Sequence, residues 1–264
     1  MKKVAAIQMC STSNIDENLT QAHLLLEQAA ASGAVLAVLP EMFPKIGQIP
    51  HDINLYKESY GHGKIQDCLA EIALKHRIWI VGGTIPIQAD HPNKIKAACI
   101  VFDDQGQQMA RYDKMHLFDA VLSNQESYVE SDTTEAGTQV IVVPTPVGTL
   151  GLGVCFDIRF PSLFSELSAL GAEVIAIPAA FTVQTGQAHW ETLMRCRALD
   201  CFSYMIGAGQ GGTHSNGRIT HGHSMIVNPW GEILDEVKHP GTGIAYGDID
   251  LQMLYDVRKR IPVV

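Results

Sequence analysis

Apolar residues recur along this chain with two periods, and the switching between them divides it into short strands and longer helices. VAAIQ (4–8) is an apolar run of strand length. In NIDENLTQAHLLLEQAAASG (14–33), Ile15, Leu19, Ala22, Leu26 and Ala29 recur at three and four residues, and Gly33 suits a helix C-terminus. AVLAVLP (34–40) predicts a buried strand stopped by Pro40, GKIQDCLAEIALKHR (63–77) a helix, and IWIVGGT (78–84) a strand. KAACIVFDDQGQQMARYDK (96–114) reads as a hairpin turned at Asp104-Gln105-Gly106, and QVIVVPTPVGTLGLGVC (139–155) as a second, turned near Pro146-Val147-Gly148.

Beyond Cys155 the pattern predicts a helix over about 160–170, the strand AEVIAIP (172–178), a helix over about 187–201 and the strand SYMIGAG (203–209). HSMIVNP (223–229) and TGIAYGDID (242–250) follow as strands, with a closing helix at 251–259. Helices between strands, with hairpins interspersed, predict α/β layers over a mixed sheet system. No linker, low-complexity tract or fixed-period repeat interrupts the chain, so residues 1–264 read as one domain.

Composition narrows the function. With 264 residues, 46% of them hydrophobic, the chain can bury a sizeable core. A formal net charge of -9 argues against nucleic acid and anionic membranes as partners, since both require clustered Lys and Arg. Gln8 ends the N-terminal apolar run too early for a secretory signal, and no stretch approaches the roughly 20 apolar residues of a membrane helix. A cytoplasmic location is the expectation. The six cysteines (10, 68, 99, 155, 196, 201) form no C-x-x-C pair, and in that compartment they stay reduced.

Three predicted strand ends carry complementary chemistry. Glu41 follows Pro40, Lys114 follows the hairpin at 96–112, and Cys155 follows the strand 149–154. Strand ends are where open α/β folds build sites. A thiol nucleophile needs a proton acceptor, which Glu41 offers. The oxyanion of acyl transfer needs a cation or N–H donors, which Lys114 and the Phe156 N–H offer, and a nearby cation lowers a thiol pKa. Each of these residues is also ordinary as a surface charge or a packed thiol. The residues by themselves therefore leave Cys155 open between packing and catalysis. His214, His221 and His223 lie close in sequence, but no carboxylate or cysteine completes a familiar metal-ligand spacing. GAGQGG (207–212) lacks the Lys-Ser/Thr of a phosphate-binding loop.

Taken together, LPEMF, RYDKMHLFD, GVCFDIRFP, GAEVIAIPAAF, TGQAHWETLMRCRALD and GHSMIVNPWG resemble the nitrilase (carbon–nitrogen hydrolase) superfamily over essentially the whole chain, and most closely its Nit branch. The resemblance implies a four-layer α-β-β-α sandwich. It implies Glu41 as general base, Lys114 as oxyanion stabiliser and Cys155 as nucleophile, with Glu126 of NQESYVE as a second glutamate positioning Lys114 or water. Phe156, Arg159, Phe181, His189 and Arg195 are the expected substrate contacts. Phe156 stands where the branch usually has Tyr, and Ser162 where it commonly has Glu.

The implied activity is hydrolysis of a small carboxylate-bearing amide through a thioester. Deaminated glutathione or an α-keto acid ω-amide fits that class; N-carbamoyl amino acid or nitrile hydrolysis is the alternative. No metal or organic cofactor is implied. The expected partners are the small-molecule substrate and a second copy of the chain, in a homodimer or higher homo-oligomer with the helices near Cys155 at the interface.

Overall fold

Strand β1 (Lys2–Gln8) is buried from Val4 onward, and its two faces serve two different cores. Val4 and Ala6 join a core shared with a second sheet, whereas Ala5 and Ile7 join a core shared with helices. This double burial is why the run lacks a polar face. The computed structural model describes residues 1–47, 50–123 and 126–262.

In chain order, β1 is followed by α1 (Ile15–Ala31), β2 (Leu36–Val38), α2 (Lys64–His76), β3 (Trp79–Val81), β4 (Ile85–Gln88), β5 (Ile95–Phe102) and β6 (Gln108–Asp113). A hairpin of β7 (Asp119–Ser123) and β8 (Glu126–Val129) comes next. Then come β9 (Val142–Thr145), β10 (Gly148–Leu152), α3 (Pro161–Ala169), β11 (Val174–Ala179), α4 (Val183–Cys201) and β12 (Tyr204–Gly209). The chain continues through β13 (Gly211–Thr213), β14 (Ile219–His221), β15 (Met225–Val227), β16 (Ile233–Glu236), β17 (Gly243–Ile249) and α5 (Leu251–Arg260).

The first large sheet runs β17-β1-β2-β3-β5-β4, with β6 also paired to β5; the second runs β16-β15-β12-β11-β10-β9. β1, β2 and β3 are mutually parallel, as are β10, β11 and β12. Val38, Val101 and Tyr112 of the first sheet meet Leu152, Ala176 and Ile206 of the second in one core, which extends to Leu163 of α3 and Trp190 of α4. The other face of the first sheet packs on Leu19 and Leu26 of α1 and Leu69 and Ile72 of α2. The layers are therefore α-β-β-α, as the resemblance implied.

Helix starts follow local chemistry. Asn14 caps α1, its side chain accepting from the N–H groups of Asp16 and Glu17, a contribution of about 1 kcal/mol. α4 starts at Val183 rather than near 187, because the Thr182 side chain accepts from the Thr185 N–H and caps it one turn earlier. Asn18 is buried at the start of α1. It donates to the carbonyls of Thr12 and Pro44, both at 2.9 Å, and so ties the helix to the loop after β2.

Candidate active site

Three chain reversals build the centre. After β2 the chain turns at Glu41, and the neighbouring Gly83 makes room: with φ at +56°, a Cβ there would lie 2.1 Å from the Pro40 carbonyl oxygen. The Met42 N–H donates to Thr84 Oγ1 at 2.8 Å, and Gln210 Nε2 donates to the Glu41 carbonyl at 3.1 Å. Lys114 follows β6; its N–H donates to the Ala97 carbonyl at 3.1 Å, and its carbonyl accepts from the Gly137 N–H at 2.8 Å.

Cys155 opens a short 3-10 helix (Cys155–Arg159) with φ at 49°. A left-handed backbone costs a non-glycine residue about 1–2 kcal/mol, and such strain gathers at functional sites. Asp157 holds this turn. Its buried carboxylate accepts from the Val154 N–H (2.8 Å), Tyr112 Oη (2.7 Å) and the His116 N–H (3.0 Å), and lies 2.7 Å from His116 Nδ1. One side chain thereby locks the Cys155 turn to both sides of Lys114.

The Lys114 ammonium is the hub. Nζ donates to Glu41 Oε1 at 2.7 Å and to both oxygens of Glu130, at 3.0 and 2.8 Å, from a side chain almost wholly buried. Burial alone would depress its pKa, but the charges of Glu130 and Glu41 outweigh that and hold it well above the ordinary lysine value. Glu130 is pushed up by burial, against the opposing pull of Lys114, and its carboxylate also accepts from the Phe118 N–H at 2.7 Å.

The Cys155 thiol is likewise raised well above its ordinary value, first by burial and then by the Glu41 charge. Lys114 and a backbone hydrogen bond from Ala180 pull the other way and do not prevail. The sequence led us to expect a cation-depressed thiol. Instead the cation is shared by two carboxylates, and the Glu41 charge joins burial in raising the thiol.

A cavity of about 350 Å³ is lined by Glu41, Lys114, Cys155, Tyr128, Glu130 and Arg218, among others. A smaller one of about 20 Å³ is lined by Phe156, Arg159, Phe181, Thr182 and Thr185; the two share Phe118, Cys155 and Ala180.

Most of the anticipated residues converge here, with exceptions. Glu41, Lys114 and Cys155 come together, and Phe156, Arg159 and Phe181 surround the smaller cavity. Glu126 is a correction: its carboxylate accepts from Tyr128 Oη at 2.8 Å, and the second carboxylate on Lys114 is that of Glu130. The physical reason is the β7–β8 hairpin. Glu126 opens β8, whereas Glu130 stands just past its end, where the chain turns into a 3-10 helix (Glu130–Asp132).

Arg195 is a second correction. It lies half-exposed on α4, paired with Glu191 at 3.2 Å and donating to the Gly231 carbonyl at 2.8 Å, and it lines neither cavity. His189 is exposed and reaches the site through Arg159, with Nδ1 3.2 Å from Arg159 Nη2.

The three histidines go separate ways. His214 Nδ1–H donates to the Ser11 carbonyl at 2.9 Å, and Nε2 accepts from Thr220 Oγ1 at 2.7 Å. His221, lowered to about 4 by burial and by His223, stacks on His223, which pairs with Glu236 at 2.6 Å. Among the described residues, no group of three His, Cys, Asp or Glu is placed to hold a metal ion. Sequence reasoning missed Glu130, Asp157 and Arg218. The Asp157 signal was present in GVCFDIRFP, two residues past the cysteine.

A strained cysteine beside a lysine bridged by two carboxylates is the site of an acyl-transfer hydrolase. The chain belongs to the carbon–nitrogen hydrolase family, whose model matches residues 3–259. A deaminated glutathione amidase of Yersinia enterocolitica is 38% identical, over 99% of this chain and 91% of its own length. An omega-amidase of Danio rerio is 34% identical, over 99% of this chain and 92% of its own. Among solved structures, Nit3 of Saccharomyces cerevisiae, a member of branch 10 of the nitrilase superfamily, matches with a TM-score of 0.89 and 29% identity, covering 100% of this chain and 95% of that one. The resemblance to the nitrilase superfamily and its Nit branch is thus borne out. Among the described residues, no helix is long and apolar enough to cross a membrane.

Proposed function

We propose that this chain, acting as a single catalytic unit, hydrolyses a small carboxylate-bearing amide of the deaminated glutathione kind through a thioester on Cys155. In that substrate a keto-acid acyl group is joined by an amide to cysteinylglycine. The observation that carries the reading is Glu41, Lys114 and Cys155 together on the wall of the 350 Å³ cavity. Relatives named deaminated glutathione amidase support the substrate class.

Glu41 takes the thiol proton as sulfur attacks the amide carbon. Lys114 Nζ and the Phe156 N–H hold the oxyanion. As the tetrahedral intermediate collapses, the C–N bond breaks and Glu41-H protonates the departing amine. Glu41 then takes a proton from water, the hydroxide attacks the thioester, and the acid leaves as the thiol is regenerated. Glu130 acts through Lys114: its two contacts fix the ammonium and help keep it charged. Arg159, with Phe156 and Phe181, receives the carboxylate end of the acyl group. The enzyme works in the cytoplasm as a homodimer or higher homo-oligomer, with α3 and α4 against the second copy.

A side-by-side kinetic panel tests the reading: deaminated glutathione, α-ketoglutaramate, α-ketosuccinamate and an N-carbamoyl amino acid. Highest kcat/KM on the first is the expected result. Preference for a keto-acid ω-amide would make the chain an omega-amidase, as its Danio rerio relative is named. Preference for the carbamoyl compound would overturn the substrate class.

A further inference from the structure

Arg218 is a cation on the wall of the large cavity that the chemistry above does not use. It stands beside β14 in the β13–β14 hairpin, which is held from below by the buried His214 and from the side by Asn216, whose Nδ2 donates to the Gly47 carbonyl at 2.8 Å. Its guanidinium reaches the wall of the large cavity. Nη2 donates to the Ala180 carbonyl at 2.9 Å, Nη1 lies 3.8 Å from Met42 Sδ, and the plane sits over the Tyr128 ring at 5.4 Å. Nε is buried and finds no hydrogen-bond partner among the described residues, and the guanidinium enters no ion pair among them. Arginine offers five donors in a fixed fork suited to a carboxylate, and this half-buried one lines a cavity without an ion-pair partner among the described residues.

Its position relative to the reacting atoms fixes which carboxylate. The Ala180 carbonyl accepts from Arg218, and Ala180 and Cys155 line both cavities together, so the guanidinium stands on the same wall as the nucleophile. The amine that leaves must face Glu41, which protonates it. Glu41 lines the large cavity and not the small one. Substituents of the amine therefore have the large cavity, where Arg218 is, to extend into, given the pose proposed above in which the carboxylate end of the acyl group meets Arg159. Lys45 also lines the large cavity, with its ammonium over the Tyr56 ring at 4.8 Å.

We propose that Arg218 receives a carboxylate carried by the leaving amine and so sets the preference for an anionic amine arm. This rests on the amidase reading above and adds a second anion-binding end to it: Arg159 for the acyl arm, Arg218 for the amine arm.

The test crosses one substitution with one substrate change. Wild type and Arg218→Leu are each assayed on deaminated glutathione and on the same compound with its glycine carboxylate converted to a carboxamide. A charge-assisted, two-pronged contact predicts that wild type prefers the carboxylate by about 10- to 100-fold in kcat/KM. Arg218→Leu should erase that preference and slow the carboxamide little further, the coupling that marks a direct pair. Arg218→Lys, which keeps the charge and loses the fork, should fall between. Equal losses on both substrates would make Arg218 structural and overturn the inference, as would a wild-type ratio near one. That wild-type ratio decides even if Arg218→Leu does not fold. If wild type hydrolyses α-ketoglutaramate while showing no carboxylate preference, the inference fails and the amidase reading stands. If wild type hydrolyses none of these amides, both fail.

Discussion

Two buried carboxylate clusters lie side by side in this molecule, and only one of them is built to react. Asp157 is wholly enclosed and meets four donors from Val154, Tyr112 and His116. Every bond it makes is internal, and it touches neither cavity. Glu41 and Glu130 instead share one ammonium, Lys114, and both open onto a cavity with Cys155 in its wall. The first cluster is satisfied; the second holds two anions to one cation, and its third partner is a protonated thiol. Burial of a polar residue thus marks structure or chemistry equally well. What separates them is an imbalance of charge facing a space that a substrate can enter.

The sharpest way to break this comparison is to remove one member from each cluster. Glu41→Gln keeps size and hydrogen bonding but cannot take a proton, so kcat should fall by about 10³-fold or more with the melting temperature near wild type. Lys114→Met should lower kcat by roughly 100- to 1,000-fold, the loss of one oxyanion donor, and its two stranded carboxylates should also destabilise the fold. Asp157→Ala strands the Tyr112 hydroxyl and three N–H groups, and should cost about 3–5 kcal/mol in denaturant unfolding. If Asp157→Ala abolishes turnover without loss of stability, the division between the clusters collapses.

A finer prediction uses pH. Burial and the Glu41 charge raise the Cys155 thiol and outweigh Lys114, so the neutral thiol is the resting form at pH 7. Without substrate, alkylation of Cys155 by iodoacetamide should climb with pH and not level off below pH 9, the ordinary value. A plateau below neutrality would reveal a preformed thiolate. The smallest effect belongs to Arg195→Ala, which removes an exposed pair and should change kcat/KM less than about twofold and stability within about 0.5 kcal/mol.

Much of the fold was legible because strands such as β1 and β11 are continuous apolar runs and the helices repeat at three and four residues. β4, β7, β8, β13, β14 and β16 were not. Each is three to five residues long, too short for a period to register, and β7, β8 and β16 carry exposed positions. The Glu41–Lys114–Cys155 grouping was suggested by strand ends and carried by family resemblance. Glu130 was misplaced onto Glu126 because two glutamates four residues apart cannot be ranked from sequence. Their difference is the end of a hairpin. Arg218 was invisible for a similar reason: in a turn-rich stretch a lone arginine looks solvated, and only the fold brings it to Ala180 and the nucleophile.

The central claim is that Cys155, among six cysteines, carries the acyl group. Incubating the enzyme with deaminated glutathione, quenching in acid within the first turnovers and mapping the mass of each cysteine peptide tests it directly. The account predicts one adduct, the keto-acid acyl group, on the peptide containing Cys155, absent in Cys155→Ala together with all turnover. An adduct on Cys10, Cys196 or Cys201, or a Cys155→Ala protein that still hydrolyses the amide, would contradict it.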